Sequence, residues 1–498
     1  MQSRRARDHV LTAVLVASAA WLAARVIEYA YNLGGIERHH VESAVYLFAA
    51  VAFITALVVT PAATLPSRRF QRPVILALAF VASSWLLYGD TASLGLFSDD
   101  FVLLDRAHRH EWIGGGEFVR PVPSMLWSLV DALTRSSVPL HAINITLHGL
   151  NAALVVLLGS ALGLSSGASI VAGALFLAYP IAVETVVWPA GVQDLAVAGC
   201  ALAFVLLSLK PASPLNVVLG VAVLLLALSS KESAIAIPAL AAAFWVAHGP
   251  PRTSARLLVI GGFAICAIYA LARLTLLPPD VTYAQPPDRY LLKELLARPI
   301  AALAFPWSVT DTGVATLEVI WAVPLIACCA FYSASQERAI APSTSLRLIA
   351  ALFIAVLPVY SLLFIAPDLQ NTRYVYLSSA FWALFVVGLA AGIGRSHTKV
   401  RLLAAALLLA IAVLGVRLHV RPWYEAADLR NRVLASAASL DARGCRDIAF
   451  NGAPDSIRGA YVFRNGLPEA LALRGIAAAP SKRADCVFAW NGQTFERK

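Results

Sequence analysis

The chain has 498 residues, of which 59% are hydrophobic and 14% charged, with a formal net charge of +10, and its mean hydropathy is +0.73. Soluble domains carry roughly 25% charged residues, so this composition excludes an ordinary water-soluble fold. The Lys and Arg residues sit in short loops between apolar runs and form no basic domain or stripe, which argues against a nucleic-acid partner and assigns the charge to membrane orientation and lipid headgroups.

Several apolar runs reach the roughly 20 residues that a helix needs to cross the hydrocarbon core. In chain order, runs at 9–30, 42–64, 73–89, 139–162, 166–187, 192–209, 214–230, 233–247, 256–277, 316–334, 346–366, 375–394 and 400–418 predict thirteen membrane helices. The basic start MQSRRARDHV has no convincing small-residue cleavage site after it, so the first helix reads as an uncleaved span. The basic residues at 4–7, 68–72, 252–256, 338–347 and 395–401 all fall on one side if the spans alternate. The positive-inside rule makes that side cytoplasmic, with the N-terminus inside and the C-terminus outside.

The external side then receives a long segment at 90–138, a second at 278–315, and the tail. Within the second segment, residues 291–306 alternate charge and apolarity like an interfacial or re-entrant helix, or form one further shallow span. The tail, 419–498, begins with helical periodicity; RDIAFNG, GAYVFRNG and DCVFAWNG then read as short strands ended by Gly turns. The chain therefore divides into an all-α polytopic domain, 1–418, and a small α/β extracytoplasmic domain. Cys445 and Cys486 either form a disulfide in an oxidising compartment or remain buried thiols.

Sidedness sorts the polar residues. Asp99 and Asp100 follow the third span externally, framed by Gly-Leu-Phe and Phe-Val-Leu-Leu, and Arg120 lies later in the same loop. At 100° per residue, His141, Asn144, His148 and Asn151 fall within about 80° of one another, a polar stripe that either bonds neighbouring helices or lines a cavity. Glu184, Trp188 and Asp194 occupy the next external corner; Lys231 with Glu232 and Arg373 with Tyr374 occupy two more. Charges at membrane depth mark functional sites by default.

These motifs, taken in order, resemble the GT-C membrane glycosyltransferases, and among them the protein O-mannosyltransferase-like enzymes. The likeness is carried by Asp99-Asp100-Phe101, Arg120-Pro121, the His141 to Asn151 stripe, Pro180 with Glu184, Gly191 and Asp194, Ser230-Lys231-Glu232-Ser233, and Arg373-Tyr374-Val375-Tyr376-Leu377, across roughly residues 73–395. Relatives often have His-Pro where this chain has Tyr179-Pro180, and tetratricopeptide repeats where it has the α/β tail.

The resemblance implies a hexosyl or pentosyl transfer from a polyprenyl-phosphate donor to an external acceptor, with inversion at the anomeric carbon, serving glycosylation of the cell envelope. The acceptor is left open between a protein, a lipid-linked glycan and a polysaccharide. Asp99 or Asp100, with Asp100 preferred, is the candidate base for the acceptor hydroxyl. Arg373, then Lys231 and Arg120, are the candidate phosphate ligands, because a guanidinium binds phosphate through two parallel bonds. His141, Asn144, His148, Glu184, Trp188, Asp194 and Tyr374 are the candidate lining of the substrate cavity. An adjacent acidic pair also permits a divalent cation, Mg²⁺ or Mn²⁺. A transporter or flippase of lipid-linked glycans, or a non-catalytic envelope-assembly subunit, would share the polytopic composition; the gathering of charge on one side favours the enzyme.

Overall fold

A computed structural model describes residues 71–111, 119–211, 213–245, 253–276, 301–308, 340–362, 365–366, 368–391, 398–440, 445–480 and 483–497. The expected spans at 9–30, 42–64 and 316–334, and most of 278–315, lie outside the described residues. Among the described residues, six helical stretches are long and apolar enough to cross a membrane: Pro73–Ser93, Val138–Ala161, Pro189–Leu209, Arg256–Thr275, Pro342–Val359 and Thr372–Ala390. At about 1.5 Å rise per residue each spans roughly 27–36 Å, the thickness of the hydrocarbon core. Their outer faces suit lipid. On α10 (Thr253–Leu276), for example, Leu257, Ile260, Phe263, Ile268, Leu271 and Leu274 all point outward.

The bundle is centred on α4 (Val138–Ala161), which packs against α1 (Gln71–Tyr88), α5 (Ser166–Leu177) and α7 (Val192–Leu209). Between α1 and α4 the described residues include α2 (Asp99–His108) and α3 (Pro121–Leu133), joined by a small core of Ala107, Trp127, Val130 and Leu140. Met125, Leu129 and Leu133 form an exposed apolar face on α3 at four-residue spacing, the mark of a helix lying at a membrane surface.

The expected single span 166–187 is broken in two. Pro180 lacks an amide hydrogen and its ring clashes with the carbonyl one turn back. The helix therefore stops at Leu177, and a six-residue helix, α6 (Ala182–Val187), follows the turn. Pro189 breaks the chain again: Trp188 is extended and a 3-10 turn, Pro189–Gly191, leads into α7. Every residue from Ala172 to Gln193 is buried, so this corner lies in the centre of the molecule. Gly191 permits its folding, since a Cβ there would lie 2.0 Å from the Thr185 carbonyl oxygen. Helices α8 (Pro214–Leu228), α9 (Ile237–Trp245), α11 (Pro342–Val356) and α12 (Tyr376–Ala390) complete the described bundle.

The boundary expected at 418/419 falls inside one 41-residue helix, α13 (Thr398–Ala438), which contains Pro422. Its second half is the floor of the C-terminal domain. There β4 (Cys486–Trp490) lies between a parallel β1 (Ile448–Asn451) and an antiparallel β5 (Phe495–Arg497). A small hairpin of β2 (Ser456–Ile457) and β3 (Ala460–Tyr461), and α14 (Leu467–Ala472), stand beside this sheet. Cys445 and Cys486 form a disulfide, which decides between the two readings of that pair. The tail is not a separate core: Tyr461, Val462, Phe463 and Phe488 belong to the same buried cluster as the bundle helices.

Candidate functional site

Asp99 and Asp100 occupy the first turn of α2, where the amide dipoles of a helix N-terminus favour negative charge. Their surroundings then separate them. Asp100 is fully buried; its Oδ2 accepts the Phe97 amide and its Oδ1 the Ala190 amide, each at 2.8 Å. Burial pushes its carboxyl well above the usual carboxylate range, against the pull of those two amides. Trp188 Nε1 adds a bond to the Phe97 carbonyl at 3.1 Å. Asp100 is thus a pin between the acidic loop and the Trp188–Gly191 corner. Asp99 stays partly exposed, and its Oδ1 accepts from Asn465 Nδ2 at 2.6 Å.

Both Asp100 oxygens therefore bond backbone amides in a closed site, whereas Asp99 keeps part of its surface open to solvent. One carboxylate of the acidic pair faces the interior and the other faces Asn465. Among the described residues no three His, Cys, Asp or Glu side chains gather as a metal site.

Arg373 stands in a 3-10 turn, Thr372–Val375, at the head of α12. Its Nη1 donates to Glu184 Oε1 at 2.7 Å and to Tyr461 Oη at 3.0 Å, and its Nη2 to Tyr374 Oη at 3.2 Å. The guanidinium lies 4.8 Å from the ring centres of both Trp188 and Tyr374, and 5.6 Å from that of Tyr461. Glu184 also accepts from Thr372 Oγ1 at 3.3 Å. A buried charge without a partner costs several kcal/mol, and this cage of one carboxylate and three aromatic rings offsets that cost for Arg373.

Two further ion pairs adjoin it. Lys231 Nζ meets Asp194 Oδ1 at 2.5 Å and lies 5.4 Å from the Tyr374 ring centre, so Tyr374 is shared between two cations. Arg120 grips Glu232 with Nε and Nη2 at 2.7–3.1 Å and also reaches Gln193, while Arg273 meets Glu232 at 3.1 Å. Arg120, Lys231, Arg273 and Arg373 thus stand against Glu184, Asp194 and Glu232 at one end of the bundle. Arg273 is absent from the sequence reading, although a lone Arg in the last turn of an apolar helix is the intramembrane-charge signal that marked the others.

The His and Asn stripe is internal. His141, Asn144 and His148 are fully buried, and Asn151 is only 2% exposed. His141 Nε2 pairs with the Gly95 carbonyl at 2.9 Å, and Asn144 Nδ2 donates to the Trp188 carbonyl at 2.8 Å. His148 bridges the Leu177 carbonyl and Tyr376 Oη, and Asn151 donates to the Leu195 carbonyl at 2.9 Å. Of the two readings of this stripe, the structure shows bonding between elements: its bonds run to carbonyls of the acidic loop, of α5, of the corner and of α7.

Two clefts flank the Glu184–Arg373 pair. One is lined by Asp194, Ser233, Arg373, Tyr374 and Tyr376 together with the apolar Val197, Ala355, Val359 and Leu377. The second is lined by Glu184, Thr372, Asp368, Ser308 and His419 together with Arg458–Ala460 of the C-terminal hairpin. No family model, curated protein or solved structure matches this chain.

Proposed function

We propose that this chain is a glycosyltransferase that moves a sugar from a polyprenyl-phosphate donor to an acceptor at the external face of the cytoplasmic membrane, with the N-terminus inside and the C-terminal domain outside. The observation that carries this reading is the cleft beside Arg373. It sets the Arg373 guanidinium and two tyrosine rings among apolar side chains at the charged end of the helical bundle, the mixed surface that a lipid phosphate requires.

In this reading the donor enters from the bilayer with its chain along the Val197, Ala355, Val359 and Leu377 wall. Its phosphate lies against Arg373 and Lys231, which stabilise the charge left when the sugar–phosphate bond breaks. The acceptor oxygen attacks the anomeric carbon from the opposite face. As the new C–O bond forms, the old one breaks and the phosphate leaves with the bonding pair. The hydroxyl proton passes to Asp99, and inversion follows from the opposed positions of nucleophile and leaving group.

The experiment uses membrane vesicles with the external face accessible and radiolabelled polyprenyl-phosphate hexoses and pentoses. Asp99→Asn is expected to lower transfer by about 10²–10⁴-fold, the usual contribution of a general base. Arg373→Lys, which keeps the charge but loses the fork, is expected to lower it by about tenfold or more. Wild-type transfer in Asp99→Asn would remove the proposed base.

A further inference from the structure

The segment Tyr461–Gly466, sequence YVFRNG, leaves the small hairpin and runs along the acidic loop. Ser98 donates its amide to the Val462 carbonyl at 3.0 Å, and the Asn465 amide donates to Ser98 Oγ at 3.1 Å. Phe463 stacks on Phe101 with ring centres 5.9 Å apart. Gly466, with φ at +82°, passes so close that a Cβ would lie 2.4 Å from the Ser98 carbonyl oxygen. Four residues apart on this ribbon are two side chains that reach the charged site. Tyr461 Oη accepts from Arg373, donates to Asn371 Oδ1 at 2.8 Å, and its ring lies 4.6 Å from that of Trp188. Asn465 Nδ2 donates to Asp99.

We infer that the C-terminal domain is a working part of the site, with Asn465 the positioning residue of Asp99 and Tyr461 the positioning residue of Arg373. This rests on the assignment of Asp99 as base and Arg373 as phosphate ligand. Docking packing alone is supplied by Val462 and Phe463, which are buried. The Asn465 amide adds a bond to a partly exposed carboxylate, which a packing role does not require. A hydrogen bond of this kind restricts the carboxylate to one rotamer and leaves its second oxygen as the acceptor for an incoming hydroxyl. Tyr461 closes the third side of the aromatic cage and thereby fixes the plane of the guanidinium.

The test is steady-state kinetics on the full-length protein in liposomes, with a radiolabelled polyprenyl-phosphate hexose, beside thermal unfolding in detergent. Asn465→Ala is expected to lower kcat by about 10- to 100-fold, the worth of one charge-assisted hydrogen bond, with donor KM within about twofold of wild type. Asn465→Gln, which restores an amide, is expected to exceed Asn465→Ala in kcat. Tyr461→Phe, which keeps the ring, is expected to raise donor KM by about 5- to 10-fold with a smaller change in kcat. The unfolding midpoints of all three are expected to stay near wild type. Wild-type kcat in Asn465→Ala overturns the inference, and so does a loss of activity matched by a fall in the unfolding midpoint. If Asn465→Ala does not fold, Tyr461→Phe and Asn465→Gln decide, and wild-type kinetics in both overturn it. Activity in Asp99→Asn removes the underlying base assignment, whereas an inactive Asp99→Asn beside a fully active Asn465→Ala removes this inference alone.

Discussion

Asp100 shows how one residue number separates structure from chemistry. Its two oxygens hold two backbone amides, so Asp100→Asn turns an amide donor toward one of them. That is expected to cost about 1–3 kcal/mol of stability, read as a lower unfolding midpoint. The pH dependence has a defined sign. Burial raises the folded-state pKa of Asp100 above its unfolded value, so the folded chain takes up this proton first as pH falls. The group therefore contributes stability below the unfolded value, near 3.9, and loses it as pH rises through the folded value. The wild-type midpoint, measured against that of Asp100→Asn, is expected to rise as the solution is acidified across that window. Adjacency of Asp99 and Asp100 was legible in the sequence; the difference in their surroundings was not, because it depends on the Ala190 amide, ninety residues from Asp100 in the chain.

The corner from Ala178 to Gly191 is the element that carries the site, since Glu184, Trp188 and the amide that holds Asp100 all belong to it. Its sequence reads as one apolar span because a fully buried run has no polar face, and periodicity cannot then separate a helix from a folded corner. Pro180 and Pro189 were the available signals for its breaks. Gly191→Ala is expected to cost about 1–3 kcal/mol through overpacking against Thr185. Gly167→Ala, where an added Cβ meets nothing within 4 Å, is expected to be neutral or slightly stabilising. Thermal unfolding of both variants in one detergent checks the pair.

Across the whole molecule, α13 makes the tail an extension of the bundle. The disulfide closes a loop of 41 residues at the root of the domain, for which chain-entropy arguments give about 4 kcal/mol at most. Cys445→Ser with Cys486→Ser is expected to lower the stability of the C-terminal domain by about 2–4 kcal/mol, seen as earlier proteolysis of the tail. If Tyr461 and Asn465 serve the site, sugar transfer falls with it under conditions where the bundle remains intact.

The sequence by itself determined the apolar, membrane-type composition, the places of six long apolar helices among the described residues, within a few residues at most ends but seven at the end of 346–366, and the concentration of charge at a few corners. These follow from hydropathy and helical length, which are local properties. Only the tertiary structure decided that Asp99 and Asp100 point apart, that the His and Asn stripe is spent on backbone carbonyls, and that Arg373 is caged. It also brought Asn465 to Asp99 across 366 residues. Such pairings are contacts between distant segments, and they leave no periodicity or spacing in the chain because nothing local depends on them.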